Sequence, residues 1–367
     1  MIHTVDVRIT LTESAYRHIL REYGEPAGLQ RYLINDFADD GLTEIKLYQF
    51  FSNRTTKYYM RVTMNPQHVL TGQYDPLALF DEDNYIAMSE KFDQLISSVS
   101  SLTLKPLSQW TASRIDYAYD IKLIPGSDTG TATKYLEMGK RGLLPQCSVL
   151  KENDGWVSYR AENNSVTVNY YEREAALQSR DYEFNDTVYQ KARDILRFEV
   201  QCLTPKLKTL AGSSGISGRP IGFYMNRDLW RKIISGYGQR IVGTQDYYSV
   251  LYASLTLRKC RVLRADAIKN LLDFLKAVDV AGGINEATAI WKQNKPVHIH
   301  WTKEDKDICL TDSQRQSRMR QLRRLGINPV PIPVHMKKSR LVNPLQIFWN
   351  QAAPIVQKNN SLLLLLP

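Results

Sequence analysis

The chain has 367 residues, 43% hydrophobic and 23% charged, which is ordinary for a globular protein large enough for two domains and a sizeable core. Its 48 Lys and Arg against 38 Asp and Glu give a formal charge of +10, and polyanions are the natural partners of such a chain. Neither the terminal LLLLLP nor any other apolar run approaches the roughly 18–20 residues of a membrane span, no basic-then-apolar leader opens the chain, and Cys147, Cys202, Cys260 and Cys309 form no CxxC pair. These features argue against a membrane protein, a zinc ribbon and a redox motif, and they fit reduced thiols in a cytoplasm.

Taken in chain order, IHTVDVRIT, TEIKLYQFF and KYYMRVTMN are β-branched and aromatic runs expected to form strands, and NPQHVLTGQYDP after the third reads as a turn or short connection. SEKFDQLISSVSS, from Ser89 to Ser101, spaces Phe92, Leu95, Ile96 and Val99 at helical intervals, so a helix lying across a sheet is expected there. WTASRIDYAYDIKL, from Trp110 to Leu123, alternates as a strand, and a helix follows over Thr131 to Lys140. GWVSYR and SVTVNYYERE make a hairpin about the turn-prone AENN. A helical segment around Thr187 to Arg193 then leads into the strand ILRFEVQCL. The order predicts α+β layers: helices packed on a largely antiparallel sheet.

Gly, Ser and Pro concentrate toward Pro220 in TPKLKTLAGSSGISGRP, the composition of a linker or loop. Beyond it NRDLWRKIISGYG, YYSVLYASLTLRK and ADAIKNLLDFLKAV show amphipathic spacing. The expected organisation is a catalytic domain over 1–205, a linker or loop over 206–220, and a more helical, basic DNA-binding region over 221–367. In that region SQRQSRMRQLRRLG carries Arg315, Arg318, Arg320, Arg323 and Arg324 on one helical segment, with Lys337 and Lys338 shortly after. Only Asp312 offsets the run locally, so a phosphate-contacting helix is expected.

Three strands share an unusual design. Ile115, Tyr117, Tyr119 and Ile121 alternate with Arg114, Asp116, Ala118 and Asp120; Leu196, Phe198, Val200 and Cys202 with Arg197, Glu199 and Gln201; Val166, Val168 and Tyr170 with Thr167, Asn169, Tyr171 and Arg173. Carboxylates are disfavoured in strands and costly to desolvate, so their recurrence asks for a compensating charge. If the wet faces converge, Asp116 and Glu199, with Asp120 as a third candidate, could share Mg²⁺ or Mn²⁺, which take oxygen ligands. Arginines and a tyrosine hydroxyl would lie beside them. The bland alternative is a surface salt-bridge lattice across the sheet.

The order SRID (Ser113 to Asp116), NYYER (Asn169 to Arg173) and LRFE (Leu196 to Glu199) resembles the gene II/X family of rolling-circle replication initiators from filamentous phages and related plasmids. The resemblance extends from YYMRVTMNPQHVLTG to IPVHMKKSRLVNPLQIFW. It implies a site-specific nickase and strand transferase whose tyrosine attacks one phosphate at the duplex origin, stays joined to the 5′ phosphate and leaves a priming 3′ hydroxyl. The displaced single strand is then cut and closed, with a host helicase and polymerase as partners in the cytoplasm of a bacterial host. Carried over, the nucleophile is Tyr171 and the metal carboxylates are Asp116 and Glu199, with Asp120 beside them. The converging wet faces add Arg173 and Arg197 to the expected catalytic set and Arg114 as an expected DNA contact. Arg173 departs from the family's tyrosine-x-lysine, keeping the charge but altering geometry, and the doubled Tyr170-Tyr171 leaves two candidate nucleophiles. Alternation favours Tyr171, since Tyr170 shares a face with Val166 and Val168.

Two other readings stay open. PVHIHWT sets His298 and His300 on one strand face, the metal-binding pattern of a histidine-pair nickase of the relaxase type. A DNA-binding replication regulator with a merely structural acidic face is the other.

Overall fold

The computed structural model describes residues 1–52, 54–123, 131–142, 148–153, 156–179, 184–301 and 304–351; Cys147 and the terminal LLLLLP lie outside them. Period-2 alternation organises its largest element. In β1 (Ile2–Leu11), Val5, Val7 and Ile9 are buried while Arg8 and Thr10 reach solvent. Helix α1 (Glu13–Glu22) follows, capped by the Thr12 hydroxyl, which accepts from Ala15 N at 3.1 Å. Then come β2 (Arg31–Ile34), β3 (Glu44–Ser52) and β4 (Thr55–Met64). The stretch after β4, which reads in sequence as a turn, is instead helix α2 (Pro66–Thr71). The Asn65 side chain accepts from the Gln67 and His68 amides, Pro66 sits in the first turn where a missing N–H costs nothing, and Gly72 (φ +67°) ends the helix. Turns and helices of one and a half turns share the same punctuating residues, so composition alone does not separate them.

Helix α3 (Tyr85–Val99) packs on α2 and sets Phe92 edge-on to Trp110 at 5.4 Å. Next are β5 (Thr111–Lys122), α4 (Thr131–Lys140), β6 (Ser148–Asn153), β7 (Trp156–Glu162) and β8 (Val166–Glu172). Helices α5 (Arg173–Gln178) and α6 (Asp186–Ala192) lead to β9 (Ile195–Leu203). The nine strands form one sheet in the order β2-β3-β4-β1-β5-β9-β8-β7-β6, every neighbouring pair antiparallel. The α+β architecture with a largely antiparallel sheet and a more helical C-terminal part is therefore as the sequence reads.

Only the first part of the segment expected as a linker or loop departs from that reading, while 214–220 is irregular. Residues Thr204–Ser213 form helix α7, packed on β5 and β9, and Ala112 N donates to the Arg219 carbonyl at 2.9 Å beyond it. Leu207, Leu210 and Ala211 face the core, so three apolar residues at helical spacing outweigh the loop-like composition around them. Helices α8 (Ile221–Tyr224) and α9 (Arg227–Val242) stay on the same face of the sheet. Tyr117 donates its hydroxyl to the Tyr224 carbonyl at 2.9 Å, Tyr224 donates to Leu207 O at 2.8 Å, and the Trp230 indole donates to Ala118 O at 2.9 Å. These bonds satisfy the polar ends of aromatic side chains that are otherwise buried.

A second helical cluster follows the short strand β10 (Tyr247–Tyr248). It comprises α10 (Val250–Lys259), α11 (Ala265–Ala281), α12 (Ile284–Lys292), the hairpin β11 (Val297–Trp301) and β12 (Glu304–Ile308), and α13 (Asp312–Arg324). Leu271, Phe274, Leu275 and Val278 of α11 form its centre, and the Trp291 indole donates to Ile308 O at 2.8 Å. Strand β13 (Arg340–Leu341) pairs with β10, and α14 (Pro344–Gln351) returns the chain to the sheet, with Phe348 edge-on to Tyr119 at 4.4 Å. Among the described residues no helix is long and apolar enough to cross a membrane.

Because α7, α9 and α14 cover the apolar face of β5 and β9, a fragment ending at residue 205 would expose Tyr117, Tyr119 and Phe198. We expect such a fragment to be insoluble or to bind a hydrophobic dye strongly. A soluble fragment with cooperative unfolding would contradict this packing.

Candidate active site

Register decides which polar side chains meet. Between β5 and β9, Asp116 pairs with Gln201, Ala118 with Glu199 and Asp120 with Arg197; between β9 and β8, Gln201 pairs with Thr167, Glu199 with Asn169 and Arg197 with Tyr171. Three rows therefore cross the middle of the sheet on one face, with the small Ala118 between the two aspartates. On the β1 side the same face continues with Thr4 opposite Asp116 and Asp6 opposite Arg114.

Asp116 is almost wholly buried, at 1% exposure, and Arg114 holds it through Nε at 2.8 Å and Nη2 at 2.5 Å. Gln201, with its carboxamide oxygen assigned toward Arg114, accepts from the same guanidinium at 2.8 Å. Burial nevertheless pushes the Asp116 carboxyl up, to about 7; the Arg114 bond opposes that rise and the Glu199 charge adds to it. Asp120, on the neighbouring row, is tied by both arms of Arg197, at 2.6 and 2.7 Å. Arg197 is itself fully buried and is raised above its ordinary value; against the cost of burial stand its bonds to Asp120 and the charges of Asp120 and Glu199.

Tyr171 is partly accessible, and its hydroxyl lies 3.5 Å from a Glu199 oxygen, while Asn169 Nδ2 stands 3.5 Å from the other. Its hydroxyl is pushed up to about 12, by burial first and the Glu199 charge second, against the lowering influence of Arg197 and Arg173. Tyr170 points the other way, fully buried and edge-on to Phe198 at 5.8 Å.

Arg173 does not extend the strand. β8 ends at Glu172, and Arg173 opens α5, fully buried, donating to the Pro76 carbonyl. Arg197 Nη2 donates to Leu77 O at 3.3 Å and its Nη1 reaches Pro76 O at 3.5 Å. The loop at Pro76 and Leu77 thus closes one end of the polar rows, although no sequence pattern marks it. Alternation puts Gln201 and Asn169 on the polar faces of their strands, but Asp6 carries no signal of its own in the sequence, and only the strand register shows that all three line the same face.

The third carboxylate expected at a metal, Asp120, is engaged by Arg197 instead, and among the described residues no three His, Cys, Asp or Glu cluster as a metal site. Asp116 and Glu199 remain together as an acidic pair on adjacent strands. Their carboxylate oxygens are the donor type that a divalent cation takes.

The basic helix α13 is only half solvated. Arg315 packs inward with Met319 and Leu322 and pairs with Asp312 at 3.0 Å, and burial lowers Arg318 and Arg323 from their ordinary values. Arg320, Arg324 and Lys337 are exposed; Lys338 is half-buried. His298 and His300 stand on the separate β11–β12 hairpin, and each ring pairs with an aspartate of the facing strand, Asp307 at 2.7 Å and Asp305. They do not join the nine-stranded sheet that carries Tyr171.

No family model and no curated protein matches the chain. Among solved structures, a rolling circle replication initiator protein from Geobacillus stearothermophilus is similar at 11% identity and a TM-score of 0.30, over 66% of this chain and 84% of that one. At that level the likeness is general, and the functional reading rests on the side chains of the polar rows.

The raised Asp116 gives a stability prediction. A carboxyl raised on folding makes the native state bind more protons than the unfolded chain between the ordinary Asp value and about 7, so its contribution declines as pH rises through that window. Asp116→Asn should therefore raise the melting temperature of the metal-free protein at pH 8, by about 3 °C or more, with a smaller gain at pH 5. An equal change at both pH values, or a loss at pH 8, would show that Asp116 is not under this strain. For α13, changing Arg320 and Arg324 to Gln should flatten the slope of log affinity for duplex DNA against log salt by about two units. An unchanged slope removes the helix from the DNA interface.

Proposed function

We propose that the chain is a rolling-circle replication initiator that nicks one strand of a duplex origin and later rejoins it through Tyr171. The observation that carries this reading is the registered set of rows on one sheet face, which brings the Tyr171 hydroxyl to Glu199 and sets Asp116 and Arg197 on either side of it. The net charge of +10 supplies the affinity for a polyanion.

Tyr171 Oη attacks the phosphorus as the P–O3′ bond breaks, giving a 5′-phosphotyrosine and a 3′ hydroxyl. Glu199 stands where it can take the phenolic proton, and a proton from solvent neutralises the departing 3′ oxygen. A hydroxyl near 12 is a poor nucleophile without such help, so proton removal and the nearby positive charges of Arg197 and Arg173 are both required. Asp116 and Glu199 are the residues that would hold Mg²⁺ or Mn²⁺, with the Asn169 amide nitrogen 3.5 Å from Glu199 to orient it. Bound there, the ion would polarise the phosphodiester and stabilise its developing charge. Rejoining reverses the exchange: a 3′ hydroxyl displaces Tyr171 from phosphorus with no high-energy cofactor.

One observation favours the non-catalytic regulator. Asp116 and Asp120 already have arginine partners, as a structural lattice would provide. The readings separate in one assay. Supercoiled replicon DNA incubated with the protein and Mg²⁺ or Mn²⁺ should become open circle. Asp116→Asn and Glu199→Gln should lower the nicking rate at least about a hundredfold while duplex binding stays near wild type. Nicking at the wild-type rate by either variant would overturn the carboxylate assignment, and binding without nicking by the wild-type protein would favour the regulator.

A further inference from the structure

The polar face does not stop at the acidic rows. It continues across β1, β4, β3 and β2, where register places Asp6 opposite Thr63, Arg8 opposite Arg61, Thr10 opposite Tyr59, Tyr59 opposite Tyr48, and Arg61 opposite Lys46. Burial distinguishes the two faces of this half-sheet. Val7, Ile9, Ile45, Leu47, Met60 and Val62 on one side are 7% exposed or less, whereas Arg8, Lys46, Tyr48, Tyr59 and Arg61 on the other all reach solvent. Phe50, next along β3 on the same face, is 57% exposed.

The exposed residues are ordered rather than scattered. Tyr48 and Tyr59 stack at 5.3 Å with planes 28° apart, and the Arg8 guanidinium lies 4.5 Å above the Tyr59 ring. Arg61 bonds Glu44 at 2.7 Å and approaches Asp6 at 3.8 Å. Lys46 is lowered from its ordinary value, by desolvation first and then by the charges of Arg61 and Arg31. Positive charge here therefore exceeds what Glu44 and Asp6 neutralise. A pair of stacked tyrosines could serve only as a cross-strand staple, but a staple explains neither the crowding of like charges nor the exposed Phe50 ring beside it.

We infer that this half of the sheet is a track for single-stranded DNA, with a base stacking on the Tyr48 ring, which Tyr59 backs, and phosphates held by Arg8, Lys46 and Arg61. Rings and cations interleaved on an open sheet are the general means of holding an unpaired strand, since every base has a π face and every phosphate a charge. A duplex, whose bases are covered, cannot use the rings. Tyr59 lies two strands from Asp116 and six residues along, roughly 20 Å at about 3.4 Å per residue and 4.8 Å per strand. A short unpaired strand leaving the acidic rows would cover that distance. The choice of DNA rests on the nicking proposed above; the stacking surface itself does not.

The test uses the full chain in EDTA, so that no cleavage intervenes, and fluorescence anisotropy with labelled oligothymidylate of about 20 nucleotides, oligouridylate of equal length and a duplex of equal length. Tyr48→Leu with Tyr59→Leu should weaken oligothymidylate binding at least about tenfold, and Tyr48→Phe with Tyr59→Phe should keep it within about twofold, because phenylalanine retains the π face. Duplex binding should change by less than about twofold in both. Arg8→Gln and Lys46→Gln, which leave the rings in place, should each reduce the salt slope of oligothymidylate binding by about 0.7. Wild-type binding by the Leu variants, or equal loss on single strand and duplex, would overturn the track even if the protein nicks. Tighter tyrosine-dependent binding of oligouridylate would overturn the choice of DNA. Tyrosine-dependent DNA binding by a protein that never nicks would leave the track standing and remove the nicking reading alone.

Discussion

The Asp116 carboxylate is the constraint around which the site is arranged. It is buried on a central strand, and removing a charge from water there costs more than one arginine returns, as its upward shift shows. The fold bears this cost because β5 sits in the middle of nine antiparallel strands, with Arg114 two residues away on the same face and Gln201 directly across. Moving β5 by one residue would turn Asp116 into the core and Tyr117 into the polar rows. The aromatic bonds beneath, from Tyr117 to Tyr224 and from Trp230 to Ala118, are therefore also what fixes the chemistry above.

That arrangement explains why the C-terminal half cannot be a mere appendage. Helices α7, α9 and α14 are the lid on the apolar face of the strands that carry the acidic rows. Asp246 secures the return of the chain by accepting from Arg340 at 2.9 Å and from the Asn343 amide at 2.8 Å, just before α14. A perturbation near Asp246 thus reaches β5 through Phe348 and Tyr119 rather than through the polar face.

Much of this is legible in the sequence because period-2 alternation is a strong signal in long strands. The two faces of β5, β8 and β9 follow from it, and so do the opposite orientations of Tyr170 and Tyr171. What is lost depends on short or non-local information. Arg173 reads as continuing a strand because alternation carries no mark of where a strand stops; its burial against Pro76 is a contact across 97 residues. Asp120 looks like a ligand because its partner Arg197 lies 77 residues away and becomes visible only through register. The arginine run in α13 looks uniformly solvated, yet Arg315 shares the helix face of Met319 and Leu322 and is drawn inward.

In the proposed mechanism Tyr171 is the residue that exchanges its phenolic proton for DNA. The most direct test is to trap the protein on a single-stranded origin fragment, digest the adduct and locate the modified peptide by mass spectrometry. The mechanism predicts nucleotide on Tyr171 and no adduct in Tyr171→Phe, with Tyr170→Phe still forming one. Nucleotide on Tyr170, or an adduct persisting in Tyr171→Phe, would contradict it.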